Sequence, residues 1–382
     1  MKSKALFISF ALGLNNTGGQ KLSLSNLKYV KNHHKNCNVD IIYFKFKELS
    51  TRMEGNYLVL EGYENKFTTL YNSLLGFMGG MSLKNEKIIL KKIKNKNYSI
   101  IYFDSSLYGR TIKKIKKLDK KIHIITFFHN VEFDFFKAKL KSESIFFAPL
   151  LVSSFFNERS TVKHSDKKIA LTSKDQAKLN IIYKASDIDI IPLSIEDDFS
   201  VTKLDRNLIL RDNKLLFVGS SFFGNREGLL WFIKGVLPFV DYELHIVGKG
   251  WENIIGGNKK KIKILGYIEN LQDVYDSYST VIAPILSGSG MKTKIVEAFM
   301  YAKFVIGTNK AFDGFNGITE EFTQVCDTKM EFIQFLNNNK NTYRHIYNLK
   351  SRDYYNKYLS PNVCQIKFNK IINELKIDEN IN

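Results

Sequence analysis

The feature that most constrains the fold is an alternation of short apolar runs with longer amphipathic ones. "KALFISF" (4–10), "VDIIYFKF" (39–46), "YSIIYFDS" (98–105), "IHIITFFHN" (122–130), "KKIALTS" (167–173) and "IDIIPL" (188–193) are continuously apolar, as strands buried on both faces are. Helix-period stretches such as "GGQKLSLSNLKYVKNHH" and "GRTIKKIKKLDK" lie between them. A strand apolar on both faces needs a helical layer on each side, so this βα repetition predicts a doubly wound parallel sheet.

After the aperiodic "SIEDDFSVTKLDRNLILRDN" the pattern resumes with "KLLFVGS" (214–220), "YELHIVGKG" (242–250), "KIKILGYI" (261–268), "STVIAPI" (279–285) and "KFVIGT" (303–308). At 382 residues the chain exceeds the size of one hydrophobic core. Two α/β domains are expected, 1–195 and 196–359, with a C-terminal helix within 360–382 packing back on the first. The tail from about 342 reads as helical. Two such domains side by side leave a cleft at the carboxyl ends of their sheets, so functional residues belong in loops after strands.

Charge narrows the partners. The formal net charge is +19, and residues 84–121 alone hold 13 basic and 3 acidic residues. Such a field attracts a polyanion: nucleic acid, an anionic membrane face or a phosphorylated substrate. A solvated helix face is the plainer alternative. Leu74, Leu75, Phe77, Met78 and Met81 precede the lysine-rich stretch, a composition that suits a lipid headgroup interface or, equally, packing inside the first domain. Cys37, Cys326 and Cys364 are too few and too scattered for a disulfide framework or a CxxC metal site, which points to a reducing compartment. The apolar start reads as a strand and glycine loop rather than a signal peptide, and no apolar run approaches the roughly 20 residues of a membrane span. These signs predict a cytoplasmic protein, soluble or peripheral at the inner face of the plasma membrane.

The densest chemistry lies in "PILSGSGMKTKIVEAFM" (284–300), a strand end, a glycine-serine loop and a helix start. Glycines let backbone amides approach an anion, and a helix N-terminus offers unpaired N–H groups with partial positive charge. Lys292 and Lys294 add full charges, and Glu297, about one turn on, is suited to accept hydrogen bonds from a diol such as ribose. In the plain structural reading Ser289 caps the helix and both lysines face water.

The succession "LLFVGSSFFGNREGLLWFI", "LHIVGKG" and "ILGYIENLQDVYDSYSTVIAPILSGSGMKTKIVEAFMYAKFVIGT" resembles GT-B glycosyltransferases, in particular glycosyltransferase family 4. The likeness is densest over 214–314 and looser in the first half, where "GG", "FFHNVE" and "KKIALTSKDQAKL" carry it. It implies a GT-B fold of two Rossmann-like domains facing across a cleft. It also implies retaining transfer of a hexose from a nucleoside diphosphate sugar, taken as a UDP-sugar, to a glycan acceptor, lipid-linked, in bacterial cell-surface polysaccharide synthesis.

By this resemblance Gly288, Ser289, Gly290, Met291, Lys292, Thr293 and Lys294 hold the donor diphosphate, faced by Gly219, Ser220 and Asn225. Glu297 binds ribose, and Gly266, Tyr267 and Ile268 lie beside the base. Gly18 and Gly19 line the acceptor side, and His129 reaches the donor sugar. Two departures stand out: Ser289 occupies the place of a sugar-holding glutamate, and only Arg226 loosely answers an expected Arg/Lys pair. Lys292, ahead of Lys294, is expected to supply that cation and to act with His129 in catalysis.

No cofactor, metal or nucleic acid is expected, and no DxD motif stands at the carboxyl end of a strand, where the cleft lies. Glu132 is the carboxylate nearest His129 in sequence and a candidate base. A 2-epimerase of sugar nucleotides, a basic nucleic-acid-binding protein and a non-catalytic partner subunit are the rival readings. The basic-binder reading leaves "GSGMKTKIVEA" unexplained.

Overall fold

A computed structural model describes residues 5–14, 17–35, 39–46, 57–63, 65–142, 147–199, 209–211, 213–288, 290–340 and 343–375. The chain forms two compact units, one of residues 1–192 with 364–382 and one of residues 193–363.

In unit 1 the strands are β1 (Ala5–Ser9), β2 (Val39–Lys45), β3 (Tyr57–Glu61), β4 (Ile100–Phe103), β5 (His123–Phe128), β6 (Lys167–Ala170) and β7 (Ile188–Ile190). They form one sheet in the order β3-β2-β1-β4-β5-β6-β7, every neighbouring pair parallel. Its helices are α1 (Gly18–His33), α2 (Lys66–Leu74), α3 (Leu83–Lys96), α4 (Gly109–Leu118), α5 (Glu132–Ser142), α6 (Ala148–His164) and α7 (Ser173–Tyr183). The β1, β4 and β5 side chains are buried on both sheet faces, which is why those runs are apolar without alternation.

Unit 2 begins with β8 (Ile209–Arg211), then β9 (Lys214–Val218), α8 (Phe223–Gly235), β10 (Glu243–Val247), α9 (Glu252–Ile255), β11 (Ile262–Gly266) and α10 (Leu271–Tyr275). It continues through β12 (Thr280–Ala283), α11 (Thr293–Met300), β13 (Phe304–Gly307), β14 (Thr323–Val325), α12 (Lys329–Asn338), β15 (Tyr343–His345) and α13 (Leu349–Tyr354). Its sheet runs β11-β10-β9-β12-β13-β14, again parallel throughout, and β15 pairs antiparallel with β8.

The last helix, α14 (Pro361–Asn373), returns the chain to unit 1. Cys364, Phe368, Ile371 and Ile372 are buried in the core made by β1, β2, β4 and β5. The Phe368 ring stacks on Phe127 at a centroid distance of 6.0 Å.

Four strands were not legible as such. β3 is a half-exposed edge strand, and β8, β14 and β15 are only three residues each, too short to show a period. The reading of the tail as helical from 342 is corrected at Tyr343–His345, which pairs as a strand.

Candidate active site

In a doubly wound sheet the crevice opens where the strand order reverses, because loops leaving the two central strands part to opposite faces. In unit 2 that point lies between β9 and β12. On the β9 side backbone bonds knit three loops together. Gly219 N donates to Val247 O at 2.8 Å, Ser221 N to Lys249 O at 3.0 Å, and Gly248 N to Gly266 O at 2.7 Å. The indole Nε1 of fully buried Trp251 donates to Gly219 O at 2.7 Å. Gly219, Ser220 and the Gly266–Ile268 turn therefore share one edge of the unit, with Lys249 Nζ 4.7 Å above the exposed Tyr267 ring.

On the β12 side the chain turns through Gly288 and Gly290, whose φ values of 112° and 68° are cheap only for glycine. Ser289 lies outside the described residues. Met291 is buried, its sulfur accepting from Leu193 N at 3.3 Å. Thr293 opens α11, and Lys292 takes the N-cap position without a side-chain cap bond. The reading of Ser289 as the cap is thereby corrected, since the helix starts too late for it. On α8, Gly228 allows the helix to lie directly against β12: a Cβ there would overlap the Pro284 carbonyl oxygen.

The alternative in which both lysines face water is also corrected. Lys294 is buried, its Nζ donating to Asn225 Oδ1 at 2.7 Å and lying 3.9 Å over the Phe217 ring. Asn225 Nδ2 in turn donates to Ser220 O at 2.8 Å, so one chain of bonds ties α11 to the β9 loop. Lys292 Nζ donates to Gly290 O at 2.6 Å, within its own loop. The structure thus brings Lys294, ahead of Lys292, to the Gly219 loop. Burial pushes the Lys294 pKa down to about 7, opposed by Glu297 and assisted by Lys292. Glu297 is buried one turn further on, near the Tyr275 hydroxyl, which is itself buried without a hydrogen-bond partner. Arg226 is exposed on the first turn of α8.

Unit 1 reverses its strand order between β1 and β4, and polar side chains converge there. Asp104, directly after β4, is fully buried. Its Oδ2 accepts from Ser9 Oγ at 2.6 Å and from Ser23 Oγ, and its Oδ1 accepts from Asn26 Nδ2 at 2.8 Å. His129 Nε2 lies 2.9 Å from the same Oδ1. The imidazole therefore donates through Nε2, which leaves Nδ1 as the acceptor of the neutral ring. Ser23 and Asn26 stand one turn apart on α1, so that helix is locked to the β4 and β5 loops. At its start Thr17 caps the helix, its hydroxyl accepting from Gln20 N at 3.1 Å, and Gly18 and Gly19 form the first turn, where a Cβ on Gly19 would sit 3.8 Å from Ala11 Cβ.

Glu132, the candidate base, is not the carboxyl that meets His129. It is the first residue of α5, and burial, with the nearby charge of Glu158, pushes its carboxyl up to about 8, so it holds its proton at neutral pH. Glu158 caps the same helix, accepting from Glu132 N and Phe133 N, both at 2.9 Å. The carboxylate on His129 is Asp104. The only sequence signal for it was an acidic residue directly after the buried strand in "YFDSS".

Residues 212–331 match the family model Glycosyl transferases group 1, a stretch that contains every unit 2 residue of this site apart from Leu193. A protein described as an uncharacterized 44.6 kDa protein in the cps region of Klebsiella pneumoniae is 27% identical over 266 residues, 64% of this chain and 66% of that protein. Sucrose-phosphate synthase from Thermosynechococcus elongatus is similar in structure with a TM-score of 0.76 at 13% identity, over 98% of this chain and 99% of that one. HepE from Anabaena, solved in complex with UDP-glucose, aligns with a TM-score of 0.64 at 11% identity, over 97% and 100% of the two chains. These likenesses establish the GT-B fold with its two Rossmann-like units.

Proposed function

We propose that the protein is a retaining glycosyltransferase that moves a hexose from a nucleoside diphosphate sugar, a UDP-sugar, to a lipid-linked glycan acceptor in bacterial surface polysaccharide synthesis. The observation that carries this reading is the bonded chain Lys294–Asn225–Ser220 at the switch point of unit 2, inside the region similar to Glycosyl transferases group 1. It sets a buried cation and a glycine-rich backbone at one place, the combination a diphosphate needs. The HepE complex with UDP-glucose is in keeping with it.

In this mechanism unit 2 takes the nucleotide: Gly219, Ser220 and the Gly288–Thr293 segment face the phosphates, Glu297 the ribose, and Gly266 to Ile268 the base. Unit 1 takes the acceptor near Gly18 and Gly19, and His129 is the group it offers to the transferred sugar. The bond between anomeric carbon and phosphate oxygen breaks, and its electron pair leaves with the diphosphate. The acceptor oxygen bonds to the same face of the sugar, and its proton passes to the departing phosphate oxygen. Charge grows on that phosphate as the bond breaks, so Lys294 and the backbone N–H groups stabilise the transition state more than the ground state. Protein cations do this work without a metal.

A thermal-shift panel of nucleoside diphosphates and their sugars tests the reading. A ligand at 100 times its Kd is expected to stabilise by about 2.7 kcal/mol. Glu297→Ala should abolish the response and Lys163→Ala should preserve it. A wild-type chain that answers to none of the nucleotides would sink the assignment.

A further inference from the structure

The apolar residues before the lysine-rich stretch divide in the structure. Phe77, Met78 and Met81 are buried in the cores of unit 1, which settles them as packing residues. What faces outward is α2, where Phe67, Tyr71 and Leu74 form an i, i+4, i+7 stripe that is 84%, 64% and 69% exposed, followed by Leu75. The neighbouring helix α6 continues the apolar surface with Val152 and Phe156, the latter 60% exposed. Single exposed apolar residues are ordinary, but five on two helices packed together, with a sixth at the cap of α2, are not.

The patch is held rigidly. Arg110, at the start of α4, donates from Nη1 to Leu75 O at 2.7 Å and lies 4.3 Å over the Phe77 ring. Asn157 of α6 donates to Gly76 O at 3.2 Å, pinning the end of α2 from the other side. The charges of these three packed helices are of one sign at the surface. Lys66, Arg110, Lys113, Lys117, Arg159 and Lys163 are exposed, whereas the only acidic residue in α2, α4 or α6 is Glu158, which is buried. On α6 the exposed stripe runs from Val152 and Phe156 into Arg159 and Lys163.

We infer that the outer faces of α2, α4 and α6 dock on an anionic phospholipid bilayer, with Phe67, Tyr71, Leu74 and Phe156 entering the headgroup boundary and the surrounding cations on the lipid phosphates. Aromatic and leucine side chains exposed on helices whose only exposed charges are basic are the composition of an interfacial surface. A two-fold contact between copies of the chain would set the same cations against each other, so the charge pattern disfavours self-association. Among the described residues no helix is long and apolar enough to cross a membrane, so the attachment is peripheral. This inference stands apart from the transferase reading, because it concerns a surface remote in sequence from the Gly219–Glu297 site.

The test is flotation of the full chain with vesicles of phosphatidylcholine, with and without phosphatidylglycerol. Partitioning should be about a hundredfold stronger on the anionic vesicles. Phe67→Ser/Tyr71→Ser/Leu74→Ser should weaken it about tenfold or more and leave only binding that salt removes. Lys113→Glu/Lys163→Glu should abolish the preference for phosphatidylglycerol. Melting curves check that each variant folds, and Phe67→Ser alone carries the same test if the triple variant does not. Equal or absent binding to the two vesicle types overturns the proposal, as does a triple variant that floats like the wild type. A wild-type dimer that the triple variant dissolves would assign the patch to self-association and overturn it too. Flotation with anionic vesicles but no thermal shift with any nucleotide would sink the transferase reading alone.

Discussion

The two switch points use the same topology to opposite ends. In unit 2 the buried lysine bonds to an amide oxygen rather than a carboxylate, and glycine loops leave backbone groups on the edge of the sheet. In unit 1 the polar groups are committed to one another: Asp104 collects Ser9, Ser23, Asn26 and His129 in a closed set. An incompletely compensated cation is a receptor for an anion, whereas a saturated carboxylate fixes the ring that it touches. The first arrangement suits binding and the second positioning.

That contrast is best broken at its cations. Lys294→Met, which keeps the stem and removes the charge, should lower kcat/KM about 10³-fold, and Lys292→Met only about tenfold. Initial rates with the donor identified by thermal shift decide this, and the opposite order would return the leading role to Lys292. Next in size, Phe368→Ala should cost unit 1 about 3 to 4 kcal/mol, because the ring lies between Tyr29, Tyr102 and Phe127. Calorimetry should show a lowered transition for unit 1 while the nucleotide-stabilised transition of unit 2 stays in place.

Asp104→Asn should reduce kcat about 10²-fold with little change in donor KM. The ring loses the acceptor that fixes its orientation, so the loss should fall on kcat, and Asp104→Glu should restore part of it. A lowered melting temperature with kcat unchanged in the folded fraction would mean that Asp104 only supports the fold. The smallest effect concerns pH and binding. Lys294 titrates near 7 in the free protein, and a bound diphosphate raises that value, so affinity is full below 7 and falls above it. A nucleoside diphosphate sugar should bind about tenfold more weakly at pH 8 than at pH 6, and Lys294→Met should remove the slope. Stability runs the other way. The unfolded chain holds this proton up to about 10.5 and the folded one only to about 7, so between those values the lysine makes folding more favourable as pH rises.

How much could be read beforehand follows from the range of each interaction. The eleven long apolar runs announced eleven of the thirteen strands in the two parallel sheets, because burial on two faces leaves a local mark. The β12 loop was visible for a similar reason, since glycines, lysines and a glutamate within ten residues make a local pattern. The partner of Lys294 was not visible: Asn225 is 69 positions away. Asp104 and Ser9 are 95 positions apart and meet only because β4 lies beside β1. Likewise, composition alone placed Phe77 and Leu74 in one class, and only packing shows the first inside and the second at the surface.

The return of α14 to unit 1 has a consequence during synthesis. Phe127, Tyr102 and Tyr29 lie early in the chain, yet the ring that packs among them belongs to residue 368. At roughly 5 to 20 residues per second, the ~170 residues between Pro192 and Cys364 take about 10 to 35 s to emerge. Throughout that interval the first sheet has one apolar face incomplete while the whole of unit 2 is being made. The first unit to leave the ribosome is therefore the last to be finished. Nascent chains halted before residue 364 should be the ones that chaperones hold and proteases cut.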